Sequence, residues 1–180
     1  MSKSFLIVCG LFATALCGRA QTPAPAPADN AAPKSYARAA AVIAIPGGDL
    51  DTSLGGAIAF GQNFGPHALE GEVVLFKSSF KYGYGDIRFL PVLVNYRYNV
   101  RLAERLTGHL GVSVGATFEH SNGYWDVSGT AFTYGAQAGL SFRLTSVMSL
   151  ETSVRRLRLE KTDVGGGNIT LVYLGLSNRF

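Results

Sequence analysis

Along most of the chain, apolar and polar residues alternate with a period of two. Clusters rich in Gly, Asp, Asn and Ser cut the alternation into runs. In TAFTYGAQAGLSFRLT, Phe132, Tyr134, Ala136, Ala138, Leu140, Phe142 and Leu144 share one face, and Thr133, Gly135, Gln137, Gly139, Ser141 and Arg143 the other. Successive strand side chains point to opposite faces, so this is the pattern of a strand between two different surroundings. In residues 109–119, Leu110, Val112, Val114, Ala116 and Phe118 oppose Gly111, Ser113, Gly115, Thr117 and Glu119. In residues 90–100, Leu90, Val92, Val94, Tyr96, Tyr98 and Val100 oppose Pro91, Leu93, Asn95, Arg97 and Asn99. SLGGAIAFGQNF places Leu54, Ile58, Phe60 and Phe64 opposite a row of Ser, Gly, Ala and Asn.

Eight runs are expected as strands, over roughly 35–45, 53–64, 68–78, 87–100, 107–119, 131–144, 149–160 and 168–180. Most are about twice the ~5–6 residues usual for globular strands. In the seventh, the pattern slips across Arg155-Arg156, and a β-bulge there would place Val154 and Leu157 on one face. No long segment has helical periodicity, so the chain is expected to be all-β.

Eight alternating strands suit either a soluble barrel, apolar inside, or an outer-membrane barrel, apolar outside. The polar face carries Glu70, Glu72, Arg97, Glu119, Arg143, Glu151, Arg155 and Arg179 among many small residues. Opposite charges and small side chains suit the inside of a narrow barrel, where the charges can pair. The other face is nearly free of charge mid-strand, where a charge would cost ~2–4 kcal/mol at the bilayer midplane. Lysines, which should crowd the outside of a soluble barrel, are scarce after residue 20: Lys34, Lys77, Lys81 and Lys161 stand outside strand centres or near strand ends. The expectation is an eight-stranded antiparallel up-and-down transmembrane β-barrel over 35–180, with a polar, plugged interior. Tyr96, Tyr98, Phe118 and Phe180 lie near strand ends, as interfacial aromatics do.

The connections fit a periplasmic N-terminus. PGGDLDT, SFKYGYGD, HSNGYWDVSGT and KTDVGGGN would be outer loops; GPHA, RLAER and TSVM would be inner turns. Outer connections are the longer class in such barrels. Tyr124 and Trp125, at the tip of the third outer loop, are candidates for contact with a surface ligand.

The N-terminus adds an export reading. Lys3 precedes the apolar stretch FLIVCGLFATAL, and Gly18-Arg19-Ala20 offers small residues for cleavage after Ala20, so 1–20 is expected to be a cleavable signal peptide. Residues 21–34, QTPAPAPADNAAPK, read as an extended Pro/Ala-rich periplasmic spacer. Both cysteines, Cys9 and Cys17, fall inside the signal, leaving no disulfide framework. Loss of Lys3 and Arg19 from the 16 Lys and Arg leaves 14 against 12 Asp and Glu. So slight an excess argues against nucleic acid as a partner.

Candidate chemistry is sparse. His67 falls in an inner turn, His109 at a strand start and His120 at the outer rim, and solvated or interfacial positions are expected for all three. No metal, cofactor or catalytic set is expected. A Ser-His-acid triad would need His120, Ser121 or Ser128 and Glu119 to converge, yet Glu119 and His120 point to opposite faces.

With FLPVLVNYRYNV, GHLGVSVGATFE, TAFTYGAQAGLSFRLT and the terminal strand in that order, the chain resembles the small bacterial outer-membrane barrels of the opacity-protein and OmpA-like group, a porin family. The resemblance covers about 35–180 and implies residence in the outer membrane after export. It also implies an assembly signal in the last strand, a Gly six from the end and a final aromatic. Gly175 and Phe180 match it, with Tyr173 in the same strand, while Asn178 stands at a position usually hydrophobic. The implied partners are outer-membrane lipid, the barrel-assembly machinery and a surface ligand. The implied role is a structural barrel presenting surface loops, in antigenic, adhesive or envelope-integrity service. A narrow channel for small solutes is the alternative, and a lipid-modifying enzyme the third reading.

Overall fold

The computed structural model describes residues 34–83, 85–123, 127–160 and 167–180. The expected signal peptide, all but the last residue of the spacer, and Tyr124 and Trp125 lie outside the described residues. Eight strands follow in chain order: β1 (Lys34–Pro46), β2 (Ser53–Phe64), β3 (His67–Ser79), β4 (Gly85–Arg101), β5 (Leu106–Gly123), β6 (Val127–Arg143), β7 (Met148–Leu159) and β8 (Gly167–Arg179). Each pairs antiparallel with its neighbour in sequence, and β1 pairs with β8, closing the barrel. Closure leaves no edge strand, and every ladder is internal, the condition for β-structure in hydrocarbon.

Hydrogen-bonded partners wind around the barrel as a helix. From Tyr36 the line runs through Gly61, Glu70, Asn95, Ser113, Gly135, Leu157 and Ile169 and returns to β1 at Pro46, ten residues farther on. Such a shear means tilted strands, so long strands are needed to cross the membrane. The connections at 65–66, 102–105 and 144–147 lie at the end that also carries the beginning of β1 and the end of β8. Short turns mark the periplasmic side of such barrels, so this is the inner end. Gly65, at φ 64°, supplies the left-handed backbone for the tightest of these turns.

Two sequence expectations need correction. β7 has no bulge: it pairs residue for residue with β8 from Met148↔Asn178 to Leu159↔Gly167. Val154 therefore faces outward and Leu157 inward, with Arg155 inward and Arg156 outward between them. The slip in the pattern is a change in chemistry, not in backbone geometry. The third outer connection is also shorter than expected, because β5 and β6 continue through HSNG and VSGT and leave only 124–126 between them. Residues within those extensions pair across the hairpin, His120 with Ser128 and Ser121 with Val127.

The outward rows are apolar as the alternation predicts: Leu54, Ile58, Phe60, Leu110, Val112, Phe132 and Leu174 are all exposed. The interior has two storeys. The inner half of the lumen is polar and charged. The outer half is an apolar core of Val42, Val74, Phe76, Ile87, Phe89, Leu157, Ile169 and Leu171, in which Phe76 and Phe89 stack with ring centroids 4.9 Å apart. The polar, plugged interior is thus roofed by a hydrophobic layer that alternation alone did not reveal.

Candidate functional site

The charged storey is the most organised cluster of chemistry among the described residues. Tyr36 and Arg38 come from β1, Glu70 and Glu72 from β3, Asn95 and Arg97 from β4, Gln137 from β6, Glu151 and Arg155 from β7, and Tyr173 from β8. All lie on inward rows, and alternate positions along β3, β4 and β7 place their charged groups at neighbouring heights.

Three arginines meet three glutamates. Arg38 lies 2.7 Å from Glu70, 3.2 Å from Glu72 and 3.8 Å from Glu151. Arg97 reaches Glu151 at 3.1 Å and Glu70 at 3.6 Å. Arg155 donates to Glu72 at 2.5 Å and to the Gln137 carbonyl at 2.7 Å. Asn95 spends both amide hydrogens on the pair of glutamates, at 2.9 Å to Glu70 and 2.7 Å to Glu72. The Tyr36 hydroxyl donates to Glu70 at 3.0 Å and accepts from Arg97 at 2.7 Å. The guanidinium of Arg155 also lies over the Tyr173 ring, 5.0 Å from its centroid, and that of Arg97 over Tyr36 at 5.2 Å. Each buried ion is thereby both neutralised and hydrogen-bonded, which offsets its desolvation.

Glycine makes room for two of the rings. A Cβ on Gly61 would sit 2.6 Å from the Tyr36 hydroxyl, and one on Gly139 would sit 2.6 Å from the His109 ring. His109 is the third correction: it is 4% exposed, turned into the lumen and not solvated, although it stands near the start of its strand. Inner-end strand starts are already inside the barrel wall on their lumen face.

Of the residues expected to share the lumen network, Glu70, Glu72, Arg97, Glu151 and Arg155 converge. Glu119 is also buried, 5% exposed, but it enters from the outer part of β5, beside the register partner Phe89. Arg143 and Arg179 stand at the inner mouth, where Arg143 is exposed and Arg179 half-buried; neither forms an ion pair among the described residues. Sequence reasoning missed Tyr36, Arg38, Asn95 and Gln137 as members. The signal was present: in KSYARAAAVIAI a single arginine stands mid-strand among alanines, on the row of Tyr36, Val42 and Ala44.

In the last strand, Tyr173 and Gly175 face the lumen and Leu174, Leu176 and Phe180 face outward. The Phe180 amide donates to Ser35 at 3.0 Å, so the final residue is tied to β1 across the closing seam. Asn178 is exposed on the outward row. His67 stacks near Tyr96 and Tyr98 at the inner rim and lies 2.6 Å from the Tyr96 hydroxyl. His120 and Ser128 are 2.8 Å apart near the outer rim, but Glu119 occupies the opposite face of the strand. Among the described residues no group of three or more His, Asp and Glu is arranged to hold a metal.

A closed eight-strand barrel with an apolar outside and paired charges inside defines an outer-membrane barrel protein. The chain belongs to the outer membrane protein beta-barrel domain family, whose profile matches residues 11–180. Solved structures with the same fold include Neisserial surface protein A, at a TM-score of 0.70 and 15% identity over 82% of this chain and 97% of that one. The attachment invasion locus protein of Yersinia pestis aligns at 0.57 and 16% identity, over 82% of this chain and 97% of that one. The N-terminal barrel of Pseudomonas aeruginosa OprF aligns at 0.53 and 13% identity, over 83% of this chain and 100% of that one. Identities this low show a shared fold. No curated protein matches the chain by sequence. The protein resides in the bacterial outer membrane.

Proposed function

We propose that this protein is a structural outer-membrane barrel whose working surface is its outer connections. The observation that carries the reading is the filling of the lumen, an ion-paired storey of three arginines and three glutamates beneath an apolar one. Such an interior favours a scaffold over a narrow channel, because a solute would have to cross both a charged and a dry layer. The neighbours are consistent with surface display: one is called a surface protein, another an attachment invasion protein, and the latter was solved with the heparin analogue sucrose octasulfate.

Tyr124 and Trp125 remain the candidate contact residues, and the barrel-assembly machinery the proposed partner for β8. Expression in a non-adherent Gram-negative host should increase adherence to host-cell surfaces. Replacing 124–126 with glycine and serine should remove the gain while the barrel stays in the outer membrane. Correct insertion without any gain in adherence would overturn the adhesive reading. Deletion of Phe180 should lower the inserted fraction several-fold; normal insertion would remove its role as an assembly signal.

A further inference from the structure

On β7 the lipid-facing row runs Met148, Leu150, Thr152, Val154 and then Arg156 and Arg158. Both arginines are exposed, and both point out of the barrel. Their heights follow from the shear. Ten residues around eight strands means that each step from β6 to β7 along the hydrogen bonds climbs by just over one residue. Arg158 pairs with Tyr134, so it stands about level with Phe132, at the upper edge of the apolar belt, and Arg156 lies one outward position lower.

A bare guanidinium in that position is unfavourable, and two about 7 Å apart on one row repel each other as well. The other side of the barrel shows what compensation looks like: outward Lys77 is held at 2.5 Å by Asp86. Among the described residues Arg156 and Arg158 have nothing comparable. Their register neighbours are Ala136 and Thr170 for Arg156, and Tyr134 and Asn168 for Arg158, and Glu160 forms no ion pair with either among the described residues. The outward rows of β6 and β8 contain no Asp or Glu at all. Among the described residues no carboxylate pairs with either arginine, which leaves both guanidinium groups open to an anion at the depth of the outer-leaflet headgroups.

We propose that Arg156 and Arg158 bind a phosphate of an anionic lipid in the outer leaflet. Guanidinium suits this ligand because its planar donors pair bidentately with phosphate oxygens. Thr170 and Asn168 stand beside them as neutral donors, and Phe132 and Tyr134 offer ring surface to the rest of the lipid. The site is independent of whichever partner the outer connections meet.

The test reconstitutes the full barrel in phosphatidylcholine nanodiscs doped with bisphosphorylated lipid A or with lipid A stripped of phosphate, and counts retained lipid by native mass spectrometry. Wild type should retain the phosphorylated form roughly tenfold better, the scale of one or two charge-assisted hydrogen bonds. R156Q/R158Q should cut that preference to within about twofold, R156K/R158K should keep part of it, and K77Q should leave it intact. Each variant is first checked for the heat-modifiable gel mobility of a folded barrel; should R156Q/R158Q fail that check, R158Q alone replaces it, with a loss of at least threefold expected. Equal retention of the two lipids by wild type, or an undiminished preference in the Gln variants, would overturn the proposal. Displacement of the lipid by inorganic phosphate at equal concentration would overturn the assignment to a lipid headgroup, leaving a general anion site.

Discussion

The two storeys of the lumen occupy the same inward rows of the same strands, yet they are held by different physics. Below, Arg38, Arg97 and Arg155 face Glu70, Glu72 and Glu151, and every one of these ions has an opposite charge within 4 Å, although the Nε atoms of Arg97 and Arg155 have no hydrogen-bond partner among the described residues. Above, Val42, Phe76, Phe89, Leu157 and Leu171 exclude water chiefly by packing, with Glu119 and the hydrogen-bonded Thr117 and Thr133 as buried polar groups on the inward rows of β5 and β6. A charged layer is intolerant of losing one partner, because the other is stranded in low dielectric. An apolar layer loses only the transfer and cavity terms of the atoms removed.

That difference can be tested in order of size. Arg155→Met leaves Glu72 with Arg38 and Asn95 as its remaining partners and frees the Gln137 carbonyl, and it should cost about 3 kcal/mol in urea unfolding from lipid vesicles. A loss under about 1 kcal/mol would mean that the lower storey is solvated. Adding Glu72→Leu to that variant should recover much of the loss, since removing both members of a buried pair is often close to neutral. In the upper storey, Leu157→Ala should cost about 2–4 kcal/mol, and Phe89 substitutions should not rescue it unless they add volume. Tyr36→Phe, which deletes one hydroxyl bonded to Glu70 and Arg97, should cost about 1.5–3 kcal/mol and sharpen how much each hydrogen bond to an ion contributes.

β7 also shows how far the sequence could be read. Alternation identified all eight strands and the lipid-facing rows of β2, β4, β5, β6 and β8, because mid-strand contrast between Leu or Val and Gly or Ser is strong. It failed where the contrast inverts. In the outer third of β7 the lumen row becomes Leu157 and Leu159 while the lipid row becomes Arg156 and Arg158, so polarity no longer marks the face. A bulge was the natural inference from such a slip, and the unbroken register refutes it. β1 posed the opposite difficulty, since a run of alanines gives little contrast and concealed Arg38 at the centre of the ion-pair network. The membership of the network followed from shear and closure, which bring β3 and β7 residues together across the lumen; neither quantity is written in a local pattern.

The central claim is that the apolar storey closes the lumen whatever the ion pairs below it do. Single-channel recording in planar bilayers tests this most directly, on wild type and on the E72Q/R155Q variant, which neutralises one pair without stranding a charge. Both are predicted to show no steady conductance. A sustained open state in either protein would contradict the account.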